Sequence, residues 1–155
     1  MGNPRVRAYH LIITTYGFWL PNDPRGSWSD FVRSFELALL GHATKTNERR
    51  SLAYDEHDRA LRRRQKDALV RDPVRFNGLQ ARAIARGVAW SVERSAFVIH
   101  ACAIMPDHAH FVIARHRYAI ELVAAQLKSN ATRQLASEQL HPFQHDLYQI
   151  GRAHV

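Results

Sequence analysis

Apolar residues recur along this chain with two different periods, and each period predicts a different element. From Val6 to Thr15 the run Val-Arg-Ala-Tyr-His-Leu-Ile-Ile-Thr-Thr is rich in β-branched and aromatic side chains and stops at Tyr16-Gly17. That composition predicts a first strand, expected at the centre of a sheet. Between Gly78 and Ser95, Ala81, Ile84, Ala85, Val88 and Val92 follow the i, i+3, i+4 spacing of a helix lying on a sheet, with Arg82, Arg86 and Arg94 on its other side. Phe97 to Ile104 is nearly continuously apolar, as a strand buried on both faces would be, and Pro106-Asp107 turns the chain into His108 to Ala114. These two segments are expected to form a hairpin. Tyr118 to Leu140 returns to helical spacing, with Ile120, Val123, Ala124, Leu127, Ala131 and Leu135 on the core stripe and Lys128, Asn130 and Arg133 outside.

The stretch after the first strand has neither period. Phe18-Trp19-Leu20-Pro21-Asn22-Asp23-Pro24-Arg25-Gly26-Ser27-Trp28 mixes two prolines, a glycine and polar turn residues with large aromatics, which predicts an ordered loop pinned by its tryptophans. Phe31 to Phe76 is polar and charge-heavy, with Asn47-Glu48-Arg49-Arg50 and a helix expected from Asp58 through Val70 that includes Arg62-Arg63-Arg64. Such a charge run is either a solvated helix face or a phosphate-contacting arm. Lacking apolar residues for a separate core, this insertion, about 18–76, is expected to belong to a single domain spanning 1–148. The element order strand, insertion, helix, strand, strand, helix predicts an α+β, ferredoxin-like antiparallel sheet with two packed helices, short of its final strand.

Composition narrows the function classes. A chain of 155 residues, 46% hydrophobic, is one domain in size and can bury a real core. Lys and Arg outnumber Asp and Glu by 22 to 14, a formal charge of +8, which suits a partner carrying phosphates, although a merely basic soluble protein has the same balance. The single cysteine, Cys102, cannot form an internal disulfide and is expected to be a buried, inert thiol. No signal peptide or membrane span is visible, so a cytoplasmic or nucleoid-associated location is expected.

Candidate chemistry centres on His108-Ala109-His110. On a strand, the two imidazoles stand side by side on one face while Ala109, Phe111 and Ile113 point to the other, and two imidazoles so placed can bind one metal ion. The bare pattern is cheap, since 10 histidines in 155 residues give roughly 0.6 such pairs by chance. Two histidines satisfied by neighbouring polar groups are the alternative. As ligands, they would supply two neutral nitrogens and leave coordination positions open to a phosphate oxygen and water, an open, catalytic type of site.

The segment Ala103-Ile104-Met105-Pro106-Asp107-His108-Ala109-His110-Phe111-Val112-Ile113 resembles the histidine-hydrophobe-histidine signature of single-tyrosine HUH transposases, specifically the REP-associated tyrosine transposase group. Ala8-Tyr9-His10, the loop from Tyr16 to Trp28, Pro73-Val74-Arg75-Phe76 and Leu140-His141-Pro142-Phe143 look like one bacterial branch of that group, so the resemblance covers almost the whole chain. It implies a dimeric, Mg- or Mn-dependent transposase that nicks and rejoins single-stranded or hairpin DNA through a covalent phosphotyrosine intermediate. His108 and His110 would be the metal ligands. Arg115, Arg117, Lys128 and Arg133, beside the metal strand and on the following helix, are candidates for the DNA backbone, with solvated surface the alternative for each.

The resemblance also places a nucleophilic tyrosine on a helix beyond the second core helix, followed one turn later by an amide or similar residue. Tyr118 is followed by Leu122 and Tyr148 by Arg152, so neither takes the role, and the nucleophile is expected beyond the end of this chain. Gln149 to Val155 is what CAGATCGGAAGAGCACACGTC encodes, which from AGATCGG onward is a common sequencing-library adapter. Residues 149–155 are therefore expected to be an adapter-derived tail, a natural tail being the alternative. Two other function classes stay open: a non-catalytic nucleic-acid-binding module on the same fold, and a zinc-dependent hydrolase, for which no paired glutamate and histidine motif is present.

Overall fold

The structure is a computed structural model that describes residues 6–48 and 50–143; Tyr148 and the tail 149–155 lie outside them. The described residues divide into two compact units, one formed by 6–14 with 75–143 and the other by 15–48 with 50–74. Among them no helix is long and apolar enough to cross a membrane.

The first unit is a three-stranded antiparallel sheet with two helices. Strands β1 (Ala8–Thr14), β2 (Ile99–Ile104) and β3 (His108–Ala114) are ordered β1-β3-β2. Thr14 pairs with His108, Ile12 with His110 and His10 with Val112 on one side of β3, while Ala103 pairs with His110 and Ala101 with Val112 on the other. The expected hairpin is therefore present, but β3 and not β1 takes the central place among the described strands. β2 is also not covered on both faces: as an edge strand it leaves His100, Ala101, Cys102 and Ala103 exposed. Cys102 is exposed rather than buried, although the protein around it still raises its thiol pKa through desolvation.

Alternation along β3 sends Ala109, Phe111 and Ile113 into the core, where they meet Leu11 of β1, Phe97, and the helices α3 (Gly78–Ser95) and α4 (Ile120–Ser137). The α4 stripe is as the periodicity predicts, with Val123, Ala124, Leu127 and Leu135 buried and Ile120 and Ala131 packed beside them. The α3 stripe is displaced: Ala85 is exposed, and the buried positions are Ala83, Ile84, Gly87, Val88 and Ser91. Small residues at 83, 87 and 91 let the backbones of α3 and α4 come together. Asn130, expected on the outside of α4, instead donates to Ser91 Oγ at 2.8 Å in that seam. A capping box starts α3, Asn77 and Gln80 each accepting from the other's backbone N–H at 2.9 Å.

At Gly87 a Cβ would lie 2.6 Å from the Asn130 carbonyl oxygen and 2.8 Å from Ala131 Cα, atoms of the α4 backbone that cannot rotate away. Gly87→Ala gains about 1 kcal/mol of helix propensity, but overpacking costs about 1–3 kcal/mol. The expected net result is a loss of order 1 kcal/mol, read as a melting temperature about 2–4 °C lower. A raised melting temperature would show that the helices separate without cost.

The second unit holds α1 (Phe35–Ala38) and α2 (Arg59–Asp67), the latter capped by Asp58, whose side chain accepts from Leu61 N at 2.8 Å. It is compact on its own, and its interior is largely polar: Asn22, Asp23, Ser27 and Gln65 are buried along with Leu20 and Leu37. Asn22 donates to the Leu37 carbonyl at 2.7 Å, and Gln65 donates to the Asn22 carbonyl at 2.8 Å. Asp23 accepts two hydrogen bonds from the Arg25 guanidinium, both at 2.8 Å, and Arg25 lies over the Trp19 ring at 3.9 Å. Trp19 also donates to the Gly26 carbonyl at 2.8 Å. The loop is thus pinned by Trp19 and by buried polar groups, whereas Trp28 is exposed and does not pin it.

Candidate functional site

The sheet face opposite the helices carries the histidines. Because Ala109 and Phe111 take the core side of β3, His108 and His110 must take the other, and both are half-buried there. Their rings stand edge to face, centroids 4.7 Å apart and planes at 82°. Just before β3 the turn closes with Met105 N donating to the His108 carbonyl at 2.8 Å and Phe76 N donating to the Pro106 carbonyl at 2.7 Å. The turn is thereby held in place and presents Asp107 to its neighbour.

His108 Nδ1 lies 2.6 Å from Asp107 Oδ1. A carboxylate only accepts, so the Nδ1 proton is fixed and the lone pair of His108 is left on Nε2. The hydrogen bond to His108 holds the Asp107 carboxyl below its ordinary pKa, with further help from the charges of His108 and Arg75. A carboxyl lowered in this way contributes stability that is present above its ordinary pKa and lost as pH falls through the lowered value. Arg75 Nη1 approaches Asp107 Oδ2 at 3.6 Å.

His110 Nδ1 is engaged as well. On β1, His10 occupies the same face, and its Nε2 lies 2.9 Å from His110 Nδ1, with ring centroids 5.1 Å apart and planes 18° apart. A 2.9 Å nitrogen contact is shorter than the thickness of a ring stack, so the two rings meet edge to edge, nearly in one plane, as an in-plane hydrogen bond requires. Partial burial lowers the His110 pKa, and the charges of His108 and His10 push it the same way. Its neutral, lone-pair-bearing form is favoured.

Among the described residues no group of three or more His, Cys, Asp or Glu side chains is arranged to hold a metal ion. The donor set of the pair nevertheless fits the open half of a shell: both histidines have Nδ1 occupied, by Asp107 and by His10, which leaves Nε2 of each, and metal-bound histidines characteristically hydrogen-bond through their second nitrogen. Comparison with known protein families, with curated proteins and with solved structures finds no match to this chain.

The four basic candidates for a DNA backbone are not gathered around the histidines. Arg115 and Arg117 follow the far end of β3, and both are exposed; Arg117 donates to the Tyr118 hydroxyl at 3.1 Å. Lys128 and Arg133 are exposed on α4, which covers the opposite face of the sheet. Lys128 combines that exposed surface with an ammonium whose pKa is lowered by desolvation. The basic residue that does reach the site is Arg75. Sequence reasoning missed Arg75, Asp107 and His10 as site residues. Asp107 was readable as the neighbour of His108, but His10 required the register of β1 against β3, which a local pattern does not contain.

Proposed function

We propose that this chain carries the metal half of a site that nicks and rejoins single-stranded or hairpin DNA, in the manner of a single-tyrosine HUH transposase. One observation carries the reading: two histidines share one face of the central strand with Nδ1 of each already hydrogen-bonded, so that Nε2 is the remaining nitrogen of each. The strand order β1-β3-β2, with both long helices in one layer, fits a ferredoxin-like sheet that, among the described residues, has no fourth strand beside β1. The charge of +8 suits a polyphosphate partner.

His108 and His110 would hold a Mg or Mn ion. When bound, such an ion polarises a phosphodiester and offsets charge developing during displacement at phosphorus. The chain's own side chains do the positioning: Asp107 fixes the His108 tautomer, and Arg75 adds positive charge beside Asp107. No described tyrosine is assigned as the nucleophile.

Replacing His108 and His110 together by alanine is expected to lower Mn2+ affinity at least about 100-fold, or about 2.7 kcal/mol, measured by electron paramagnetic resonance of the free ion during titration. In a version that carries the nucleophilic tyrosine, Mn2+-dependent cleavage of a hairpin oligonucleotide, followed on a denaturing gel, should disappear when both histidines are replaced. Unchanged Mn2+ affinity would sink the metal reading. Oligonucleotide binding with no Mn2+-dependent cleavage by that tyrosine-bearing version would favour the non-catalytic nucleic-acid-binding module.

A further inference from the structure

We infer that His10 is a positioning residue for the histidine pair: its Nε2 accepts the Nδ1 proton of His110 and thereby turns the lone pair of His110 Nε2 toward the metal. The inference rests on the reading of His108 and His110 as metal ligands.

A neutral imidazole has one proton and one lone pair, on different nitrogens. In the contact between His10 Nε2 and His110 Nδ1, one ring must donate and the other accept. If His10 donates, the proton of His110 is forced onto Nε2 and that nitrogen cannot ligate. If His110 donates, its Nε2 is bare. Only the second arrangement is compatible with a metal held by both histidines, and it gives His110 what Asp107 gives His108: an acceptor at Nδ1. The two ligands are then oriented from different elements, His108 by the turn before β3 and His110 by the neighbouring strand β1.

Register makes this contact specific. His10 is directly opposite Val112, and Ile12 is opposite His110, so His10 reaches His110 along the diagonal of a cross-strand pair on the shared face. A one-residue slip of β1 would send His10 to the core side and leave His110 without its acceptor. His10 itself is exposed, and water can meet its remaining nitrogen. Such placement gives it little role in stabilising the core, where Leu11 is the buried residue of this strand.

Supporting residues of this kind change metal affinity about 10–100-fold when removed. His10→Ala is expected to weaken Mn2+ binding by that factor, and His10→Gln, whose amide oxygen can still accept, to recover most of it. The melting temperature of both variants should stay within about 2 °C of the wild type, as for a surface substitution. A second readout needs no metal: nitrogen-15 NMR of the histidine side chains should show the fraction of His110 protonated at Nδ1 falling in His10→Ala. Equal Mn2+ affinity in wild type and His10→Ala, an unchanged tautomer fraction, or a glutamine variant no better than alanine would each overturn the role of His10. A wild-type chain that takes up no Mn2+ would instead overturn the metal-site reading on which it stands, and the inference with it.

Discussion

Replacing Arg25 by methionine is expected to destabilise the folded chain by about 3–5 kcal/mol. Asp23 and Arg25 have side chains only 1% and 5% exposed, and the guanidinium meets the carboxylate through two nitrogens at 2.8 Å. Methionine keeps the length of the side chain and much of its contact with Trp19 but leaves a buried carboxylate without its principal partner. Arg62, with Nε 3.6 Å from Asp23 Oδ2, compensates only in part. Burial acts to raise the Asp23 pKa, but the hydrogen bonds and charge of Arg25 outweigh it and hold the value below normal. The wild-type pair therefore contributes stability at neutral pH that is lost only as pH falls through the lowered pKa. Without the Arg25 guanidinium the burial effect is opposed by Arg62 and by the backbone N–H of residue 25, which donates to Asp23 Oδ1 at 3.0 Å and is kept in the variant; the Asp23 pKa rises from its wild-type value, so the penalty should shrink on acidification as the carboxyl takes up a proton. Urea denaturation at pH 7 and pH 5 measures both effects. Adding Asp23→Asn to the variant should restore part of the loss at pH 7. A loss under about 1 kcal/mol at pH 7, or one that grows on acidification, would contradict this account.

Phe111→Ala is expected to cost about 3–5 kcal/mol, by emptying the middle of the core under the central strand. Phe111 is 2% exposed and points away from the face that carries its neighbour His110. The substitution removes core contacts without touching a proposed ligand, so the fraction that remains folded should bind Mn2+ within about threefold of the wild type. Denaturation curves paired with Mn2+ titration at low temperature test the two halves separately. A variant of undiminished stability, or a folded variant that has lost Mn2+, would show that the two faces of β3 are not independent.

Much of the first unit was legible because its elements announce themselves locally. Ala109, Phe111 and Ile113 alternate with His108 and His110, and that alternation sets the two faces of β3 wherever the strand lies. The inward stripe of α4 was readable for the same reason. What escaped was information carried by relations between elements. β2 reads as a fully buried strand because Ala101, Cys102 and Ala103 are apolar or small, yet Ala101 and Ala103 lie on the face of the sheet that carries His110 and Val112, and Cys102 lies at the edge of the described sheet, so all three are exposed. The stripe of α3 was misplaced because hydrophobic counting weighs Ala85 above Gly87, whereas the close approach of α4 selects the smaller residue. The polar interior around Asn22, Asp23 and Gln65 gave little apolar signal, and hydrogen bonds between residues as far apart in sequence as Asn22 and Gln65 help to hold it together. His10 belongs to the same class, visible only once the register of two strands is known.

Gln80 uses both ends of its side chain. While its oxygen accepts from Asn77 N at the start of α3, its nitrogen donates to the Leu140 carbonyl just beyond α4, at 2.9 Å. Unwinding of the first turn of α3 and release of the chain after α4 therefore break bonds to the same side chain and become one event. In hydrogen-exchange terms the two helix ends should open as a single cooperative unit, so that protection at Gln80 and its neighbours rises and falls with the anchoring of Leu140.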